Sequence, residues 1–258
     1  MSLYSAEALV LRARPLGEAD VVVTLLTREE GKVEAVARGA RRGRSRLLAA
    51  TQPFTESRVM IWRGRNMDSL SQAEVVHSFR GLQQELTRLA CASYTAELLD
   101  HFLGEREPHP ALYELWRETL HYLSRAEGRT PLLKGVHVFE LRLMRILGYE
   151  PEISRCAACG GELGATLRFS LGLGGALCPQ CFSRDPGASP VSAGTLALLQ
   201  RLADTAWDRL HVVELGPWAP EVQRLLWAFI AFRREGTLKT REFMELVCGA
   251  PEEGVNNK

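Results

Sequence analysis

The stretch that decides the reading is Cys156-Ala-Ala-Cys159-Gly160-Gly161, followed after further residues by Cys178-Pro-Gln-Cys181, with eighteen residues between Cys159 and Cys178. Two Cys-x-x-Cys turns at that separation have the spacing of a tetrathiolate metal site. Each turn sets two sulfurs on one side of a tight loop, and two such loops close a tetrahedron. Gly160 and Gly161 stand where amides must approach the thiolates and a positive φ is useful. Between the pairs, Thr166-Leu-Arg-Phe-Ser170 predicts a strand, and Gly172, Gly174 and Gly175 predict turns. The outline is a small zinc ribbon on Cys156, Cys159, Cys178 and Cys181. Four sulfurs leave no open position for water, so one Zn²⁺ in a structural role is expected; iron is the alternative the same ligands accept.

Upstream, the period is that of short strands. Glu7–Arg14, Val21–Thr27, Lys32–Arg38, Ser57–Trp62 and Leu70–Phe79 are rich in aliphatic and aromatic residues. Pro15-Leu-Gly-Glu, Glu30-Gly31, Pro53 and Arg63-Gly-Arg-Asn66 punctuate them. Five strands in about 80 residues predict a closed β-barrel of OB type, with an SH3-like barrel as the alternative. In Arg58-Val-Met-Ile-Trp62, alternation places Val59 and Ile61 on one face and Arg58, Met60 and Trp62 on the other. With the aliphatic pair inward, Arg58 and Trp62 are outside as a phosphate-binding and base-stacking pair; alternatively Trp62 packs beneath a helix of the next domain.

The chain carries 32 Lys+Arg against 31 Asp+Glu, yet residues 1–80 hold 13 basic and 9 acidic residues. Five of those positive charges fall in Arg38-Gly-Ala-Arg41-Arg42-Gly-Arg44-Ser-Arg46, and no acidic residue occurs from Ala35 to Thr55. Glycines among arginines predict a mobile loop presenting guanidinium groups to a polyanion, nucleic acid being favoured over an incidentally basic loop.

After Gly81 the period becomes helical. Leu82, Leu86, Leu89, Tyr94, Leu98 and Phe102 form a first stripe; Leu112, Leu115, Trp116, Thr119 and Leu123 a second; Leu132, Val136, Phe139, Leu143 and Ile146–Leu147 a third, ended by Gly148. Arg184-Asp-Pro-Gly-Ala-Ser-Pro190 reads as a linker. Ser192 is the expected N-cap for a helix to about Leu210, another helix follows Pro220, and a short one runs from near Thr240 to Cys248. The expected organisation is α+β and multidomain. It comprises a barrel over 1–80, helices over 81–150, the ribbon over 151–185, further helices over 186–250, and a frayed tail over 251–258. Cys91 and Cys248 read as buried small hydrophobes. No phosphate loop, His-Glu-x-x-His or Gly-x-Ser-x-Gly motif occurs, and no catalytic residue is expected. The absence of a secretory or membrane-length segment, with cysteines committed to a metal, fits a reducing cytoplasm.

The ordered set resembles the bacterial RecO family of DNA repair and recombination mediator proteins. It consists of Ala8-Leu-Val-Leu, Gly17-Glu-Ala-Asp20, Thr27-Arg-Glu-Glu-Gly-Lys32, Ala37 to Arg46, Gln52-Pro-Phe54, Phe139 to Tyr149, Cys156-Ala-Ala-Cys159-Gly160 and Leu238-Lys-Thr-Arg-Glu-Phe243. That resemblance implies a non-enzymatic, nucleoid-associated protein that binds single- and double-stranded DNA and anneals complementary strands. It also implies work with RecR to load RecA onto DNA coated by single-strand-binding protein. DNA contacts would fall on Arg38, Arg41, Arg42, Arg44 and Arg46, with Lys32 beside them. Lys239-Thr240 departs from the family's frequent Lys-Ser. Two other classes stay open: a protein-interaction adaptor with incidental DNA affinity, and a zinc-dependent enzyme on nucleic acid.

Overall fold

The computed structural model describes residues 2–234 and 238–249. They fall into two compact units, Met1–Arg125 and Ala126–Lys258. The expected tail over 251–258 lies outside the described residues.

The first unit begins with five strands: β1 (Leu3–Leu16), β2 (Asp20–Thr27), β3 (Gly31–Ala37), β4 (Glu56–Trp62) and β5 (Asp68–His77), with the short helix α1 (Leu47–Ala50) between β3 and β4. They close in the order β1-β2-β3-β5-β4, and β4 returns to β1. All neighbours are antiparallel except β3 and β5. This five-stranded closed barrel is the OB arrangement, and its strand order decides against the SH3-like alternative. Closure depends on β1, whose first half pairs with β4 (Leu3↔Trp62 to Leu9↔Glu56) and whose second half pairs with β2 (Ala8↔Thr27 to Leu16↔Asp20). A bulge between Val10 and Arg12 bends the strand so that it serves both neighbours. The interior is aliphatic and small, with Val23, Leu25, Ala35, Ala37, Ala40, Val59 and Ile61 buried.

Two helices belong to the same unit: α2 (Leu86–Phe102) and α3 (Pro110–Leu123). All five residues expected on the α3 stripe are buried. The first stripe is corrected in part. Tyr94 and Leu98 are buried, but Leu86 opens α2 and is 56% exposed, and Leu82 sits in a separate 3₁₀ turn, Arg80–Leu82. Phe79 at φ 42° breaks the chain between β5 and that turn, so β5 ends at His77.

The second unit contains α4 (Arg129–Ile146), the strands β6 (Leu167–Ser170), β7 (Gly175–Leu177) and β8 (Ser189–Val191), then α5 (Ala193–Asp204), α6 (Ala219–Arg233) and α7 (Lys239–Cys248). Helix α4 ends as its sequence predicts. Gly148 takes φ +78°, its amide bonds Arg145 O, and the Tyr149 amide reaches back to Met144 O. Two expectations are corrected. The segment read as a linker supplies β8, which pairs with β6 on the side opposite β7. Gly175, read as a turn residue, is the first residue of β7, because a Cβ there would lie 2.3 Å from Glu152 O, and only glycine permits that approach. Ser192 caps α5 by accepting the Thr195 amide, but the helix stops at Asp204 and a 3₁₀ turn, Trp207–Val212, follows. Cys91 and Cys248 are both buried.

Candidate nucleic-acid interface and metal centre

Arg38, Arg41, Arg42, Arg44 and Arg46 all lie exposed on the turns leaving β3. The backbone that carries them is tied down. Ala40 is fully buried in the barrel core, the Asp20 carboxylate accepts the Gly39 amide at 2.7 Å, and the Arg41 amide donates to Ala19 O at 2.9 Å. Successive turns close through Arg42 N to Gly39 O and Ser45 N to Arg42 O. The Arg41 guanidinium donates to Gly17 O at 3.1 Å. Among the described residues, no carboxylate forms an ion pair with any of the five. Five unneutralised guanidinium groups on one anchored turn make a strong local positive potential, and each retains donors for phosphate oxygens.

The other expected contacts divide. Arg58 and Trp62 share the outer face of β4, since Val59 and Ile61 are buried; Trp62 is 45% exposed, so it does not pack beneath a helix. Arg58 faces Glu74 at 3.9 Å, with both side chains well exposed. Such a pair is worth little in water and leaves the guanidinium available. Lys32 is different. Its ammonium is largely buried, lies 3.2 Å from Asp100 Oδ1, and donates to Asp100 O. It joins β3 to the end of α2 and stands apart from the arginine turn.

In the second unit, the ligand atoms of Cys156, Cys159, Cys178 and Cys181 all lie within 4.8 Å of one another. A tetrahedron with metal–sulfur bonds of about 2.3 Å needs sulfurs about 3.8 Å apart, and Cys159 and Cys178 Sγ stand at 3.9 Å. The donor set therefore fits a thiophilic ion. The knuckles are built by backbone bonds, Gly160 N to Cys156 O at 2.7 Å and Cys181 N to Cys178 O at 2.9 Å, with Gly160 at φ +70°. Burial pushes the Cys156 thiol up, but amide donors from Cys178, Ala158 and Cys159 outweigh it and bring the group down to about 6. Hydrogen bonding to Cys159, then burial, pushes Cys181 up to about 12. One thiolate is thus favoured without an ion, while a full set of four needs a cation to hold it. Leu177 and Ala188 are buried with Cys156, Cys178 and Cys181, Leu163 and Phe182 pack at the edge of the cluster, and Cys159 is exposed.

Residues 83–242 match the family model described as Recombination protein O C terminal, and residues 1–79 match its N-terminal counterpart. The chain belongs to the RecO family. It is 44% identical over 255 residues to the DNA repair protein RecO of Symbiobacterium thermophilum, covering 97% of this chain and 100% of that one. Identity to the DNA repair protein RecO of Pelotomaculum thermopropionicum is 37% over 252 residues, 97% of each chain. With the protein of the same name from Bacillus pumilus it is 33% over 243 residues.

Within this RecO-family barrel, sequence reasoning passed over two residues that shape the arginine turn, Asp20 and Ala40. Asp20 was visible only as part of a motif, and its bond to Gly39 spans nineteen positions. Ala40, followed by exposed arginines in a glycine-rich run, carries no periodic signal that it points into the core. No helix among the described residues is long and apolar enough to cross a membrane.

Proposed function

We propose that the chain is a non-enzymatic DNA repair and recombination mediator whose barrel binds single- and double-stranded DNA through Arg38, Arg41, Arg42, Arg44 and Arg46. The observation that carries this reading is the anchored turn of five exposed arginines without a carboxylate partner among the described residues. Arg58 and Trp62 add a phosphate contact and a stacking surface on β4. Lys32, held by Asp100, supports the barrel instead of the DNA.

The mechanism is charge neutralisation. Guanidinium groups on the phosphates of one strand lower the repulsion that an approaching complementary strand meets, while the bases remain free to pair. Contacts to phosphates are sequence-tolerant, as annealing of arbitrary sequences requires. Family membership extends the reading to work with RecR and single-strand-binding protein in loading RecA. Zn²⁺ on Cys156, Cys159, Cys178 and Cys181 is structural: four thiolates fill its coordination shell, and it holds β6, β7 and the two knuckles together.

The test is binding of a fluorescent single-stranded oligonucleotide by anisotropy across a salt series. Four or five neutralised phosphates give a log–log slope of about −3 to −4 for the wild type. The Arg41→Ala/Arg42→Ala/Arg44→Ala variant should bind more weakly with a slope shallower by about 2. A slope that these substitutions leave unchanged removes the turn from the mechanism and favours a protein-interaction adaptor.

A further inference from the structure

Another arginine, far along the sequence from the barrel turn, is set among several aromatic rings. Arg233, at the end of α6, holds its guanidinium carbon 4.6 Å from the ring centre of Phe229, 5.4 Å from Phe232 and 5.8 Å from Tyr149. Phe229 is buried and packs edge-on against Phe169 of β6, which fixes the base of the group. Phe232 and Tyr149 are 55% and 44% exposed. The β6–β7 hairpin lies against this arginine. A Cβ on Gly174 would stand 2.9 Å from Arg233 Nη2, so the glycine at φ +79° is what lets the guanidinium stay in place.

Beside the group opens a cavity of about 480 Å³, lined by Tyr149, Arg155, Arg233 and the backbone of the first cysteine knuckle. Its lining carries both signs, with Glu150, Glu152 and Cys156 beside the two arginines. Glu150 is paired with Arg145 at 2.6 Å, and Glu152 accepts from the Ser154 amide and hydroxyl and from the Arg155 amide. Among the described residues, Arg155 and Arg233 form no ion pair with a carboxylate.

We infer that this Tyr149–Arg233–Phe232 platform, with Arg155 beside it, is a binding site for single-stranded nucleic acid in the second unit. The inference rests on the reading that the chain binds DNA, and it adds a site separate from the barrel turn. Two exposed rings flanking an arginine provide stacking faces for bases, and the cation–π contacts keep the guanidinium pre-ordered; its Nε is buried, so a phosphate would meet the terminal amino groups. The requirement for open base faces selects single strands, because in a duplex those faces are covered by neighbouring pairs. The barrel turn, which offers guanidinium groups and little stacking surface, makes no such selection. A protein with both can hold one strand by its phosphates and another by its bases.

The probe is a fluorescent oligo-dT of roughly 15 nucleotides, a length within the range of single-strand sites, compared with a duplex of equal length. Full-length chains are used: wild type, Arg41→Ala/Arg42→Ala/Arg44→Ala, Tyr149→Ala/Phe232→Ala, and the five substitutions combined. Loss of one stacked base weakens single-strand binding by about 5- to 150-fold. The platform variant should therefore lose at least about fivefold for oligo-dT and little for duplex, and the combined variant should lose more than the turn variant. Both platform residues are solvent-facing, and a thermal melt together with metal content reads whether the fold persists. Arg233→Lys keeps the charge and removes the planar stack; it should reduce oligo-dT binding and spare the duplex. Single-strand binding unchanged in the platform variant, while the turn variant is weakened, overturns this inference and leaves the barrel reading standing. Equal losses for single strand and duplex also overturn it. Indifference to every substitution overturns both.

Discussion

Asp68, at the start of β5, and Arg106, in the connection between α2 and α3, meet at 2.7 Å although they are 38 residues apart. The Asp68 side chain is only 1% exposed, and its two oxygens also receive the Tyr4 hydroxyl and the Gly64 amide. Arg106 holds φ +58°, outside the usual range for an L residue. Burial pushes the Asp68 carboxyl up, but the Gly64 amide, the Tyr4 hydroxyl and Arg106 together hold it below its ordinary value. This carboxylate binds the mouth of the barrel to the segment that follows α2.

The sign of its pH effect follows. A carboxyl whose folded value is depressed contributes stability above its unfolded value of about 3.9, and that contribution is lost as pH falls through the folded value. Urea unfolding at pH 7 and at pH 3 should show the wild type losing stability at the lower pH. Asp68→Asn should be destabilised by about 2 kcal/mol at pH 7 through loss of charged hydrogen bonds and should show a smaller pH dependence. Equal pH dependence in the two proteins would mean that other groups govern the acid limb.

Lys32 separates support of the fold from contact with DNA. The Lys32→Met variant loses the bonds to Asp100, leaving a carboxylate that Arg12 still contacts at 2.8 Å. A cost of about 1 kcal/mol in unfolding free energy is expected, with the salt slope of DNA binding unchanged. A slope shallower by about 0.7 would instead place Lys32 on a phosphate.

What was legible beforehand has a common physical origin. Alternation in Arg58 to Trp62 reports the two faces of β4, because the strand period is local. The cysteine spacing reports the metal site, because a knuckle is made within four residues. Gly148 signals the end of α4 because positive φ is a property of one residue. The pairings of Lys32 with Asp100 and of Asp68 with Arg106 arise only when the barrel closes, and nothing in either local sequence names the partner. The β8 strand was hidden for a related reason. Its three residues, one of them proline, carry no alternation, and only pairing with β6 makes them a strand.

Two glycines with similar backbone angles should respond differently. Gly17 (φ +60°) has open space where a Cβ would project, whereas at Gly31 (φ +70°) the added atom would stand 2.1 Å from Glu107 O. Gly17→Ala should cost about 1 kcal/mol from the left-handed conformation alone. Gly31→Ala should cost more than about 3 kcal/mol, since backbone must move as well. Thermal denaturation of the two variants checks the order.

Metal analysis should find one ion per chain, and Zn²⁺ is the expected element. Cys181→Ser should lower occupancy, and chelation should lower the unfolding temperature of the second unit. Duplex binding through the barrel turn should persist with its slope unchanged, because none of the turn's arginines belongs to that unit. Visible thiolate-to-metal absorption in the protein as isolated would identify iron instead.

The Asp20 bond to Gly39 gives the sharpest test of how the arginine turn works. Asp20→Ala removes the acceptor that fixes the turn while leaving all five guanidinium groups in place. If charge count alone set affinity, removing one acid near the turn would strengthen DNA binding. If pre-ordering of the arginines matters, the variant must order the turn on binding, at a cost of about 0.5–1.5 kcal/mol for each side chain immobilised. The expected result is affinity reduced by about 3- to 10-fold with the salt slope retained, since the same phosphates are neutralised. Asp20→Asn keeps a carbonyl oxygen that can accept the Gly39 amide and should recover most of the loss. Tighter binding by Asp20→Ala would show that the carboxylate acts on DNA through its charge and that anchoring of the turn contributes nothing to affinity.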